Sequence, residues 1–297
     1  MPLNELTGIE KRNKKEKGED RTEYFTRISN GIVKSMLKEF VRMRKRILVK
    51  FIEETDEERK EFVKNAIGSF EYNERDLEGL IQAKIEDENK SPMLGYYTGI
   101  LLEMLTERNR KKGIETTVRI DGCGRDFPYL FMGARNFDNV YISNITGDKI
   151  LSNSLDGGRG KTAVISGLKG DSAAYWMARK GMLDLLVIND SIGEFTAAGI
   201  AEGGCIKRVV LRNITSDTGL TLEFAKMNNG KIPELIYDAK PGMLSGIGDY
   251  ITMKFGRVPR RRGSLECAAK MSGASVYDIE KYANEINSLF REKNATK

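Results

Sequence analysis

The stretch that decides the fold is Val187-Ile-Asn-Asp-Ser-Ile-Gly-Glu-Phe-Thr-Ala-Ala-Gly-Ile-Ala-Glu-Gly-Gly-Cys-Ile206. It is one unit of a pattern that repeats along residues 116–220. Gly124, Gly147, Gly170 and Gly193 stand 23 residues apart, and Ser216 falls one interval further on. An acidic residue follows the turn in Asp148, Asp171, Glu194 and Asp217, with Arg125 as the exception. Six residues before each turn stands Val118, Tyr141, Val164, Val187 or Val210. The next column is Ile142, Ile165, Ile188 and Leu211, with Arg119 at its start. A second glycine column keeps the same phase at Gly158, Gly181 and Gly204.

A fixed period of this length is the mark of a solenoid built from one supersecondary unit per repeat. β-Branched residues bounded by Gly, Asn, Asp and Ser read as short strands and tight turns. Glycine recurs in every unit at a density that helices do not tolerate. The expected fold is therefore α+β: a right-handed β-helix of five to six 23-residue coils, each with two or three short strands, flanked by helices. Neighbouring rungs would lie about 4.8 Å apart, so each column becomes a ladder, with glycine corners free to take positive φ.

The quoted unit resembles the repeat of the GXGXG β-helix domain, which closes the large subunit of glutamate synthase and forms the C subunit of formylmethanofuran dehydrogenase. The matching features are Gly193-Glu194, Gly199-Ile200, Gly203-Gly204 and the aliphatic strand after them. The preceding unit keeps Gly170-Asp171 and Met177 but carries Ala174 and Tyr175 at the middle glycines. The resemblance covers about residues 118–220. It implies a right-handed β-helix with a scaffolding role and no catalytic residues of its own.

Composition bounds the chemistry. Apolar residues make up 40% and charged residues 31% of the 297, which suits a folded chain with a somewhat polar surface. The net charge of +6 allows an acidic partner without requiring one. No apolar run is long enough to span a membrane, and the N-terminus has no apolar core of a signal peptide, so a cytoplasmic protein is expected. Cys123, Cys205 and Cys267 are odd in number and share no C-x-x-C spacing, which reads as free thiols. The absence of histidine removes Ser-His-Asp and Cys-His chemistry and histidine metal sites together. No cofactor and no metal are expected.

Outside the repeat, residues 1–20 read as a disordered basic arm containing Lys14 and Lys15, either a solvated tail or a phosphate contact. Residues 21–113 read as a helical bundle. An amphipathic helix fills 21–53, with a basic cluster at Arg42, Arg44, Lys45 and Arg46. Thr55 opens a second helix with Glu58 at the capping-box position, and Gly68 ends it. Asn73 starts a third, to about Glu88. Ser91-Pro92 starts a fourth that stops at Gly113. This bundle is expected to plug the N-terminal end of the solenoid, because an open coil exposes strand edges and core.

The solenoid is assigned to 114–256, with a blurred period after 220. A basic linker and helical hairpin occupy 257–297. Ala269, Gly273 and Ile279 have the spacing of a helix-turn-helix, and Arg257, Arg260, Arg261 and Arg262 lie upstream. The same residues fit a hairpin packed on the solenoid, which is the favoured reading.

Three features bear on function. Leu155-Asp-Gly-Gly-Arg-Gly-Lys-Thr162 resembles the end of a Walker A loop, but Leu155 stands where the first glycine belongs and a β column follows. The acidic column Asp148, Asp171, Glu194 and Asp217 reads either as carboxylates accepting turn N–H groups or as a cation or ligand stripe. Ser143, Ser166, Asn189 and Arg212, and beside them Asn144, Gly167, Asp190 and Asn213, read as polar ladders. Tyr175 and Trp176 mark either a contact patch or filler under a helical cap. The leading expectation is a non-catalytic interaction module with a protein partner or a second copy. A nucleic-acid binder using the basic arm and C-terminal helices is the alternative. A carboxylate-based enzyme or ligand binder on the solenoid groove is the third.

Overall fold

The structure, a computed structural model, describes residues 20–42, 48–85, 92–215, 232, 234–238 and 259–291. Four helices come first: α1 (Arg21–Arg42), α2 (Leu48–Ile67), α3 (Glu74–Ile85) and α4 (Pro92–Lys111). Six strands follow: β1 (Thr117–Asp121), β2 (Asn139–Thr146), β3 (Arg159–Lys169), β4 (Met182–Ile192), β5 (Cys205–Thr215) and β6 (Glu234–Asp238). Helices α5 (Pro259–Lys270) and α6 (Val276–Arg291) close the described chain. The strands form one parallel sheet in sequence order. Each strand returns one rung on, so the chain is a parallel β-solenoid with about four complete turns among the described residues.

From β2 onward the 23-residue register holds: Tyr141 faces Val164, Val187 and Val210 in turn. The first coil departs from it. Val118 pairs with Val140 and Ile120 with Ile142, a step of one residue fewer. Arg119 is therefore no exception in the aliphatic column, whose first member is Ile120. Gly124 likewise leaves the glycine column, and its φ of +73° differs from the +142° to +157° of Gly147, Gly170 and Gly193.

Among the described residues each complete coil holds one strand rather than two or three. The remainder is an arc in which alternate residues take left-handed φ. Lys149, Leu151, Asn153, Leu155 and Gly157 lie between +52° and +68°, and the next coil repeats this at Ser172, Ala174, Trp176, Ala178 and Lys180. A left-handed residue other than glycine costs roughly 1–2 kcal/mol. Hydrogen bonding between coils holds it there. Leu151 and Leu155 donate their N–H groups to Leu130 and Ala134 of the coil before. Lys149, Asn153 and Gly157 donate to Asp171, Tyr175 and Arg179 of the coil after. The arc pairs like a sheet without being one.

The two glycine columns serve different needs. Gly170 takes a φ of +151°, and a Cβ there would meet the Gly147 carbonyl. Gly181 has no left-handed φ; it is glycine because a Cβ would strike the Leu155 carbonyl. Within the strands, Asn144, Gly167, Asp190 and Asn213 all take φ between +47° and +71°. The residue types best able to sit there fill that polar column.

Two apolar clusters follow from the alternation of strand side chains. Ile120, Ile142, Ile165, Ile188 and Leu211 fill the solenoid interior, continuous with the core of the N-terminal helices. Tyr141, Val164, Val187 and Val210 face outward and are covered by Ala268, Met271, Ile279, Ala283 and Ile286 of α5 and α6. The C-terminal pair is therefore a hairpin on the sheet.

The N-terminal helices close the first coil, as expected of an end plug. Gly95 and Gly99 let α4 lie against the backbone of residues 128–132. N–H groups that would point to a preceding coil find helix side chains instead. Arg119 donates to Glu78 Oε1 at 2.7 Å, Phe131 to Thr98 Oγ1 at 3.3 Å and Arg135 to Glu103 Oε2 at 3.0 Å.

Helix α2 runs through Thr55, which therefore opens no helix. Asn73 caps α3 reciprocally with Asp76, and Ser275 caps α6 with Asp278. The three cysteines are unpaired. No described helix is long and apolar enough to cross a membrane.

Candidate functional site

The acidic column is brought together and put to use in the backbone. Asp148 Oδ1 accepts the N–H of Asp171 at 2.9 Å, and Asp171 Oδ1 accepts that of Glu194 at 2.7 Å. Asp148 and Asp171 each tie their own coil to the next at a corner that faces water, which is how like charges tolerate one-rung spacing. Asp217 lies outside the described residues. Among the described residues no group of three or more Cys, Asp or Glu side chains is placed to hold a metal ion.

The polar ladders bind coil to coil and coil to hairpin. Asn189 Nδ2 donates to Ser166 Oγ at 3.1 Å, and Ser166 Oγ donates to the Met271 carbonyl at 3.2 Å. Arg212 Nη1 reaches Asn189 Oδ1 at 3.1 Å and Ser272 Oγ at 3.2 Å.

The basic residues expected to meet nucleic acid are only partly placed. Arg262 is exposed and pairs with Glu266 at 2.9 Å, one helical turn on. Arg260 and Arg261 lie in the first turn of α5 with only their backbone described. Lys14, Lys15 and Arg257 lie outside the described residues. The outward face of α6 carries Tyr277, Asp278, Lys281, Asn284 and Ser288, one acid and one base.

Tyr175 and Trp176 stand on the outward side of the third arc, while Ala173, Ala174, Met177 and Ala178 are buried. Their rings stack at 4.8 Å, and the Arg179 guanidinium lies 5.5 Å from the Trp176 ring centroid. No described helix covers them. The indole lies over Gly199 of the next coil, where a Cβ would collide with it. Trp176 Nε1 is buried and, among the described residues, has no hydrogen-bond partner. Phe195, on the following arc, is 42% exposed, and Ile192 beside it 55%.

Two further charged columns escaped sequence reading, although the same 23-residue count reveals them. Asp138, Lys161, Asp184 and Lys207 alternate in sign along the strand starts, and Asp156, Arg179 and Glu202 do so along the arc. Lys207 pairs with Asp184 at 2.6 Å, and Arg179 with Asp156 at 2.7 Å. The first column borders a groove of about 550 Å³. Its wall holds the buried Asp138 carboxylate, which accepts from Arg110 and from the Thr116 N–H at 2.9 Å. Lys161 pairs with Glu115 at 2.5 Å. Arg159, Ile114 and Met182 complete the rim.

Burial raises the Glu78 carboxyl against the opposing pull of the Arg119 N–H and guanidinium. It belongs to the end plug and lies apart from the acidic column. Burial also pushes up the Tyr72, Tyr97 and Tyr141 phenols, which lie in the packed layers.

No protein-family model, curated protein or solved structure matches the chain.

Proposed function

We propose that the protein is a non-catalytic interaction scaffold, working in the cytoplasm, that presents the outer surface of its arcs to a protein partner. The carrying observation is the Tyr175–Trp176 stack on the outward face of the third arc, with Phe195 exposed on the fourth. Large aromatics at the surface are the anchors that protein interfaces favour. The Asp148 and Asp171 carboxylates are occupied in coil-to-coil hydrogen bonds. The resemblance of Val187–Ile206 to the GXGXG repeat, whose domain bridges other parts of its proteins, supports the same role. The end plug and the covered sheet favour it too, since the described helices that form them occupy other sides of the solenoid than the third and fourth arcs.

The test is purification from the native host with and without nuclease, for wild type and for a Tyr175→Ser/Trp176→Ser variant. The expected result is a complex heavier than the 33.4 kDa chain that survives nuclease and is lost in the folded variant. A monomer without co-purifying protein would overturn the proposal. Material lost to nuclease and to high salt would move the function to nucleic acid and to Arg260–Arg262. Trp176 is the only tryptophan, so its emission reports partner contact directly.

A further inference from the structure

We infer that the groove at the strand starts is a second docking site, which takes an extended peptide segment of a partner protein carrying a carboxylate next to an apolar side chain. The inference rests on the interaction-scaffold reading for its kind of partner, but on a different surface from the aromatic arc.

The shape points to a peptide. The groove runs from the level of β2 to that of β5, three strand spacings, or about 14 Å. That is the length of about four extended residues. An open trough of this length suits a chain better than a small molecule, which needs a cleft that buries most of its surface.

The chemistry points to the side chains. Three of the groove's four cations, Arg110, Lys161 and Lys207, already hold carboxylates. Arg159 is left over. Its guanidinium meets the Met182 sulfur at 3.8 Å and, among the described residues, no carboxylate. Arg159 is exposed and ready for a planar, two-pronged contact with a carboxylate. Beside it Met182 is 37% exposed, and Ile114, which also lines the groove, is 53% exposed. An apolar side chain seated between them would cover both, while its acidic neighbour reaches Arg159. The paired charges on the rim favour a peptide with few other charges, since each extra one would have to break a standing pair.

The experiment uses the full chain with carbon-13-labelled methionine methyl groups, the Met182 signal being assigned with Met182→Leu. The probes are three capped tetrapeptides at millimolar concentration, with Leu-Asp, Leu-Asn or Gly-Asp at the centre. Leu-Asp is expected to shift the Met182 methyl saturably. Loss of either its carboxylate or its leucine is expected to weaken binding about tenfold, as is Arg159→Glu. Trp176→Ser is expected to leave the response unchanged. No shift at Met182, or equal shifts with all three peptides or with Arg159→Glu, would overturn the inference. A Met182 response that persists when the arc variant keeps its partners would sink the arc proposal alone.

Discussion

Glu103 accepts the backbone N–H of Arg135 on one carboxylate oxygen and the Lys60 ammonium on the other. One side chain thus closes a hydrogen bond that the first coil has no preceding coil to make, and neutralises a cation of α2. The Glu103 carboxylate is 2% exposed. Glu103→Leu should take this carboxylate acceptor from both groups at once, at a cost of about 3–5 kcal/mol. Glu103→Gln should cost less, because its amide oxygen still accepts the Arg135 N–H. Urea denaturation midpoints measure both, and a Leu variant as stable as wild type would show that the plug does not hold the coil.

Glu78 makes the matching contact on β1 and sets a pH dependence. Its desolvated carboxyl lies above the ordinary value of 4.5. A raised value in the fold means that the stabilising contribution is full below 4.5 and is lost as the pH rises through the folded-state value. Glu78→Gln removes that titration and keeps an acceptor for the Arg119 N–H. The variant should therefore gain stability over wild type as the pH rises from about 4 to 7. Thermal midpoints across that range check it; parallel curves would exclude Glu78 as the cause.

Val187 and Ile188 are neighbours with opposite fates. Val187 lies under the C-terminal hairpin and Ile188 inside the solenoid. An aspartate at 188 puts an unpaired charge into the shared core and should abolish folding. At 187 it should release α5 and α6 while the coils persist. Limited proteolysis and far-ultraviolet circular dichroism separate these outcomes: rapid cleavage within 259–291 with a stable remainder is expected for Val187→Asp alone.

Gly181→Ala should destabilise by about 1–3 kcal/mol, because the new methyl meets the Leu155 carbonyl of the coil before. Gly157→Ala should cost about 1 kcal/mol, the strain of φ +68° with open space around it. Equal losses in the two melting curves would contradict the assignment of different causes to them.

Much of this was legible in the chain. The 23-residue count placed the Val187 and Ile188 columns, and apolar periodicity put helices before and after the repeat; the acid column was legible as a ladder, with its backbone role one of two readings. Three things were misread for physical reasons. The first coil is one residue short, and a strict period carried Val118 and Arg119 into the wrong columns. Thr55-Glu58 has the form of a cap, but the helix simply continues through it, since a capping box at an interior position has no free N–H to satisfy. The arc was expected to contain strands, because Ala, Ser, Asn and Gly say only that turns are tolerated there. The charged ladder Asp138, Lys161, Asp184 and Lys207 was available to the same counting and was passed over.

By itself the sequence determined the repeat, because stacking demands the same residue type at the same point of every turn, and periodicity survives in a linear string. It marked the Gly147, Gly170 and Gly193 corners, but not the left-handed Leu151, Leu155 and Trp176, whose backbone is set by bonding between coils. Only the tertiary structure decided which aliphatic column faces inward and which lies under the hairpin, since alternation along a strand is symmetric between the two faces. It alone decided that Glu78, Thr98 and Glu103, from helices far along the chain, would cap the first coil. A side chain's partner across such a distance is set by how the layers dock, and no local pattern in the chain encodes it.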